Sequence, residues 1–276
     1  MIETALGYFT GLFVGIVLGM LGGGGSLLLP AMLYLFHLDL KFATAYTTIL
    51  VGVTAMFGVV PRLRRNLIDV PTVIALGIPV SVGMLLVRLW LFDVVPNTLF
   101  TFGSVAVTKK TFVLTIFIGL LLLSFASMIG LFRKKLQSKT ELRIRAPVAY
   151  YILMIVFGLL IGVLPGFAGA GGGVLIVPLL VIFFGLPMKT VVGTSLMIIA
   201  MKSFVGFFGG DAIRLGSEID YWFLLRFVLL MIGGVIVGSS WSRKIDADKL
   251  RQIFAWFLMG LAIFIVVYEG FFHRAE

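Results

Sequence analysis

A chain of 276 residues that is 61% hydrophobic and only 12% charged lies far below the roughly 25% charged share of soluble domains, which excludes a water-soluble globular protein. Its net charge of +10 comes from 22 basic and 12 acidic residues, and the absence of Cys removes disulfides, thiol nucleophiles and thiolate metal sites. Several windows of about 20 residues are nearly free of charge, long enough to cross roughly 30 Å of hydrocarbon, and apolar all round rather than alternating, so they are helices of a polytopic membrane protein and not strands of a barrel.

In chain order, the first segment covers 4–21. Its leading "MIETALG" carries an acid and no basic residue, unlike the charged start of a signal peptide, so it is expected to remain as a membrane segment. A glycine run, Gly22 to Gly25, separates it from a short apolar segment at 26–37, followed by segments at 41–60, 70–92 and 111–132. The polar, basic stretch "RKKLQSKTELRIRA" at 133–146 comes next, and then segments at 147–164, 173–186, 190–209, 221–241 and 250–271.

The second five segments repeat the first. "GLFVGIVLGMLGGGGSLLLP" from Gly11 aligns with "GLLIGVLPGFAGAGGGVLIVP" from Gly158 with one inserted residue, Lys41 faces Lys189, and Thr47 faces Thr194 and Ser195 to within one position. The chain therefore divides into a first repeat at 1–132, a linker at 133–146 and a second repeat at 147–276. Five segments is an odd number, so the second copy is expected to enter from the opposite side: an all-α protein built of two inverted-topology repeats. The positive-inside rule orients it. One side collects 14 basic residues, from Arg62, Arg64 and Arg65 through the linker to Lys189 and Arg243 to Arg251, against 6 on the other. The linker is expected in the cytoplasm and both termini outside.

The short segments carry the functional expectation. Twelve residues at 26–37 span only about 18 Å, too little for a full crossing, so each copy is expected to hold a hairpin of half-helices broken at its glycines. Irregular backbone at membrane depth is tolerated where it lines a cavity or lies inside protein. Glycines there bring bare N–H groups close to a ligand, and a helix N-terminus favours an anion. The candidate substrate-binding residues are Gly23, Gly24, Gly25 and Ser26 in one copy and Gly171, Gly172 and Gly173 in the other. To these are added the hydroxyls of Thr47, Thr194 and Ser195 and the ammonium of Lys202, which lies deep in its segment opposite neutral Thr54 of the first copy. Close packing of helices is the plainer use of such glycines. Arg88 and Arg226 stand nearer segment ends and are expected to snorkel. The acidic residues all fall in loops or toward segment ends, and His37 at the end of a short helix is expected to be structural.

The paired Gly-rich stretches ending in Pro, with "GLPMKTVVGTSL" at 185–196 and "RLRRNLID" at 62–69, resemble the sulfite exporter TauE/SafE family, also called the toluene-sulfonate uptake permease family, from about Gly11 to Leu261. The resemblance implies a multi-pass inner-membrane transporter of small sulfur-containing anions such as sulfite, sulfonates or sulfoacetate, working by alternating access around a midplane site between the repeats. An anion channel is the alternative within transport. An intramembrane enzyme is the alternative outside it, but only two histidines and no candidate metal cluster or Cys nucleophile offer it chemistry. No cofactor, metal site or nucleic-acid partner is expected; the expected partners are the bilayer and a small anion, with a coupling proton or cation left open.

Overall fold

The computed structural model describes residues 2–91, 98–102, 105–129, 147–168, 173–182 and 184–272. The N-terminal half comprises α1 (Ile2–Leu21), a tight 3-10 turn (Gly24–Leu27), α2 (Leu28–Tyr34), α3 (Leu40–Leu63) and α4 (Val70–Leu86), which runs on through a π-helical turn (Val87–Leu91). A β-hairpin of β1 (Thr98–Phe102) and β2 (Val105–Thr108), with Phe102 opposite Val105, then leads into α5 (Lys109–Ile129). The C-terminal half comprises α6 (Pro147–Ala168), α7 (Gly173–Ile182) and α8 (Met188–Gly206), which continues through its own π-helical turn (Phe207–Asp211) into α9 (Ala212–Leu215). It closes with α10 (Tyr221–Lys244) and α11 (Ala247–Phe272).

The protein is thus predominantly helical, and among the described residues five helical runs are long and apolar enough to cross a membrane: Leu40–Leu63, Val70–Trp90, Met188–Glu218, Tyr221–Lys244 and Ala247–Val267. Two features depart from the all-α segment list. The β-hairpin occupies the stretch between the fourth and fifth segments, where alternating Thr, Phe and Val favour strands. The run that begins at Met188 does not stop near residue 209 but continues to Glu218, which carries Asp211 into the body of a helix.

Helix α1 packs most extensively on α10, and α6 packs on α4. Both contacts use glycine to bring backbone against backbone. A Cβ on Gly15 or Gly19 of α1 would collide with the Met231 or Val235 carbonyl, and one on Gly234 or Gly238 of α10 would collide with Leu12 or Ile16. Gly162 of α6 meets the Val80 carbonyl and Gly83 of α4 in the same way. Without a hydrophobic force between helices in lipid, such close van der Waals contact is what holds them together. The outer faces carry Ile74, Ile78 and Val82 on α4 and Leu225, Leu229 and Ile236 on α10, all exposed, as lipid-facing positions require. Exposed Tyr221 and Trp222 begin α10 and exposed Trp241 nears its end. Twenty residues of helix separate the two groups, about 30 Å, the thickness of the hydrocarbon layer.

Both short helices stop alike. His37 and Gly185 adopt left-handed backbone (φ 51° and 63°), and the amides of Leu38 and Leu186 reach back to the carbonyls of Met32 and Leu180 at 3.2 and 3.3 Å. Each bond reaches one residue farther back than the six-to-one bond of a Schellman ending, and the left-handed turn it closes gives His37 a conformational role.

Candidate functional site

The break after α1 is made by Gly22, whose φ of +72° is left-handed; a side chain there would also strike Ser195 Oγ and the Val192 backbone of α8. The chain then turns through Gly23, Gly24 and Gly25, with Gly24 and Gly25 buried in the 3-10 turn. A Cβ on Gly24 would collide with the backbone of Val17 and Leu18, and one on Gly25 would stand 2.7 Å from Val51 of α3. Gly173, at the start of α7, comes against Gly23, where a Cβ would stand 2.8 Å from the Gly23 Cα and 3.0 Å from the Gly22 carbonyl oxygen. Gly23 and Gly173 therefore meet backbone to backbone inside the protein. Gly171 and Gly172 lie outside the described residues.

One face of α8 runs along this junction. Ser195 touches Gly22, Ile199 touches Gly173, and Lys202 follows at the next position of the same stripe, seven residues from Ser195, since positions i, i+4 and i+7 share a helix face. On α3, Val51 touches Gly25, with Thr47 four residues before it and Thr54 three after. Contact of Gly52 with Ser203 and of Gly58 with Leu196 sets α3 antiparallel to α8, with Thr54 and Lys202 level near their crossing.

The candidate hydroxyls divide into engaged and unengaged groups. Ser26 donates to the Gly23 carbonyl at 3.2 Å, and Ser195 is shared between the carbonyls of Gly22 (3.2 Å) and Val192 (3.1 Å). Thr194 Oγ1 accepts from the Asp69 amide at 3.0 Å, and Thr54 donates to Leu50 at 2.6 Å. Ser26 and Ser195 hold the turn at Gly22 and Gly23, Thr194 ties α8 to Asp69, and Thr54 bonds within its own helix. Thr47 Oγ1 and Ser203 Oγ, by contrast, are fully buried without a hydrogen-bond partner among the described residues. Lys202 is 2% exposed, and among the described residues no carboxylate pairs with it.

The structure corrects the expectation for Arg88. Its side chain is fully buried rather than snorkelled: it donates to Thr44 Oγ1 at 3.0 Å and Thr48 Oγ1 at 3.1 Å on α3, and pairs with Asp211 at 3.2 Å. Asp211 is 2% exposed, so a carboxylate expected near a segment end sits inside the helical body. The two residues occupy the two π-helical turns, and Gly210 admits the stem of Arg88 with no side chain in the way. A signal for Arg88 exists in the sequence: the unbroken apolar run "MLLVRLWLF" around it. Asp211 has none, because its burial depends on the continuation of α8. Arg62, a loop cation by charge counting, is also buried; it donates to the Gly58 carbonyl at 2.8 Å, to Ser239 Oγ at 3.1 Å and to the Gly19 carbonyl, tying α3 to α1 and α10.

A buried lysine on the helix face that meets Gly22 and Gly173 is chemically suited to a small anion. The family described as Sulfite exporter TauE/SafE matches residues 8–265, almost the whole chain. The chain belongs to the sulfite exporter TauE/SafE family. It is a multi-pass membrane protein and a membrane transporter of that family. Among its relatives are two proteins of Bacillus subtilis (strain 168): the probable membrane transporter protein YjnA, 24% identical over 254 residues that cover 89% of this chain and 92% of that protein, and the probable membrane transporter protein YunE, 23% identical over 273 residues covering 95% and 96%. A third, the probable membrane transporter protein YdhB of the same organism, is 32% identical over 120 residues, 42% of this chain and 46% of that one. No solved structure matches. In this TauE/SafE member the described residues hold no cluster of three His, Asp or Glu side chains for a metal ion.

Proposed function

We propose that the protein carries small sulfur-containing anions, of the sulfite, sulfonate or sulfoacetate type, across the inner membrane by alternating access around the junction of Gly23 to Ser26 with Gly171 to Gly173. The observation that carries this is Lys202: a buried ammonium on the helix face that touches Gly22 and Gly173. The anion sits against the backbone of the breaks with Lys202 as its counter-charge, and the unengaged hydroxyls of Thr47 and Ser203 donate to its oxygens. Ser195 and Thr194 act one step back, fixing the Gly22 carbonyl and the Asp69 amide.

Inverted repeats supply the movement in this scheme. The first helix of each copy rests on the fourth helix of the other, α1 on α10 and α6 on α4, the reciprocal packing that a two-fold axis in the membrane plane generates. Likewise Gly25 meets Val51 in one copy where Gly173 meets Ile199 in the other. Rocking one set against the other exposes the junction to each side in turn, with the linker cytoplasmic and Glu276 outside. Reporter fusions at Gln137 and at Glu276 that are active on the opposite sides overturn the orientation. The chemistry is transport without covalent change of the anion.

Purified protein in liposomes tests the whole scheme. Counterflow of labelled sulfite, thiosulfate, sulfoacetate, taurine and chloride is measured one at a time. Saturable counterflow of a sulfur-containing anion, stronger than that of chloride, is expected; conductance that does not saturate indicates a channel, and no flux of any of the five refutes the reading.

A further inference from the structure

The carboxylate of Asp211 has no part in that anion site, yet it is 2% exposed in a membrane-spanning run. An ionised carboxylate in such a place is kept only when it is paired or has work to do. Asp211 Oδ1 faces Arg88 at 3.2 Å and Arg214 at 4.0 Å, while Oδ2 is buried with no hydrogen-bond partner among the described residues. A carboxylate with one paired oxygen and one bare oxygen is built to accept a proton on the bare side.

The surroundings say what such a proton would do. Among the described residues, the charged groups facing Asp211 are Arg88 from the π turn after α4 and Arg214 from α9; α3 contributes the neutral Thr44 and Thr48, which bond to Arg88. Arg88 in turn donates to Thr48 at 3.1 Å, the residue next to Thr47 of the anion site on α3. With an anion bound beside Thr47, Arg88 therefore stands between two negative groups, the anion and Asp211. In a low-dielectric interior two anions so placed are costly, and protonating the carboxylate removes one of the charges.

We propose, resting on the anion-binding reading above, that Asp211 is the proton-coupling carboxylate: it is ionised and held by Arg88 when the site is empty, and takes one proton on Oδ2 as the anion arrives. The Arg88–Asp211 contact then loosens, Arg88 turns its charge toward the anion, and proton and anion cross together in the same direction. On release of the anion the proton leaves to the same side and the ion pair re-forms. No bond other than the O–H bond of Asp211 is made or broken, and the proton comes from water on the side where the anion enters.

Liposomes holding the purified full chain and an entrapped pH dye test this with sulfoacetate in a buffered external medium. The sulfonate stays ionised, so a pH change inside tracks protons carried with the anion. The wild-type protein is expected to acidify the lumen as labelled sulfoacetate enters, about one proton per anion. Asp211→Asn is expected to exchange labelled for unlabelled sulfoacetate at a reduced rate while losing the acidification, and Asp211→Glu is expected to restore it. If Asp211→Asn does not fold, the paired variant Arg88→Gln with Asp211→Asn removes both buried charges together and must show the same loss. Exchange by wild type without acidification, or acidification by either Asn variant equal to wild type, overturns the proton-coupling role alone. No exchange by wild type overturns the anion reading, and the coupling role falls with it.

Discussion

Arg88→Met isolates the energetic role of the buried ion pair. The substitution keeps an unbranched stem of similar width beside Gly210 but deletes the 3.2 Å contact to Asp211 and the hydrogen bonds to Thr44 and Thr48. Asp211 is left 2% exposed with Arg214 as its nearest described cation, at 4.0 Å. Removing one partner of a buried pair costs about 3–5 kcal/mol, because the remaining charge stays desolvated, whereas replacing both partners by apolar groups is often close to neutral. For a protein of this size each kcal/mol moves the midpoint by roughly 2–4 °C, so Arg88→Met should lower it by roughly 6–20 °C. The assay is thermal unfolding in detergent, followed by tryptophan fluorescence. Asp211→Leu alone should cost a similar amount, and Arg88→Met combined with Asp211→Leu should recover most of the loss, a coupling of at least about 2 kcal/mol. A double variant as unstable as the two single losses added together refutes the pairing argument, and a loss below about 1 kcal/mol in Arg88→Met refutes the burial on which it stands.

Lys202→Met should weaken anion binding by roughly 10- to 100-fold, the loss of a charged hydrogen bond worth about 1.5–3 kcal/mol, with unfolding unchanged or improved; equal binding in a direct titration with sulfite makes the lysine structural. Gly162→Leu drives a side chain into the Val80 carbonyl and should cost at least about 1–3 kcal/mol, whereas Gly260→Ala, where a Cβ meets nothing within 4 Å, should stay within about 0.5 kcal/mol of the parent in the same unfolding assay. His37→Gly relieves a left-handed residue (φ 51°) and should be neutral or stabilising by up to about 1 kcal/mol; a clear loss of stability shows that the imidazole itself makes a needed contact.

The left-handed turn at Gly22 was legible because it obeys a local rule: a run of glycines inside an apolar segment has few uses. The glycine pairs that join α1 to α10 and α6 to α4 were only half legible. Gly15, Gly19, Gly158 and Gly162 stand at four-residue spacing and announce a close-packed face, but nothing in that spacing names the partner helix. Ser195 reads as a hydroxyl for a ligand, and its type and depth suit that role; that it bonds Gly22 follows from where the first copy sets its left-handed turn. Thr47, its counterpart on α3, is the hydroxyl left unengaged.

What the sequence by itself determined was the membrane-spanning, predominantly helical class of the chain, because hydropathy and period act over one or two helical turns and do not depend on neighbours. What the tertiary structure alone decided was the state of the ionisable groups. Arg88 near the end of an apolar run is compatible with snorkelling to the headgroups or with burial, and the choice rests on Asp211, Thr44 and Thr48 arriving from other helices. Arg62 is a cytoplasmic loop cation by charge counting and an interhelical tie once Gly58, Gly19 and Ser239 surround it. The physical reason is common to both: desolvating a charge is opposed by several kcal/mol and becomes tolerable only through partners distant in the chain, so its outcome is a property of the fold and not of the segment.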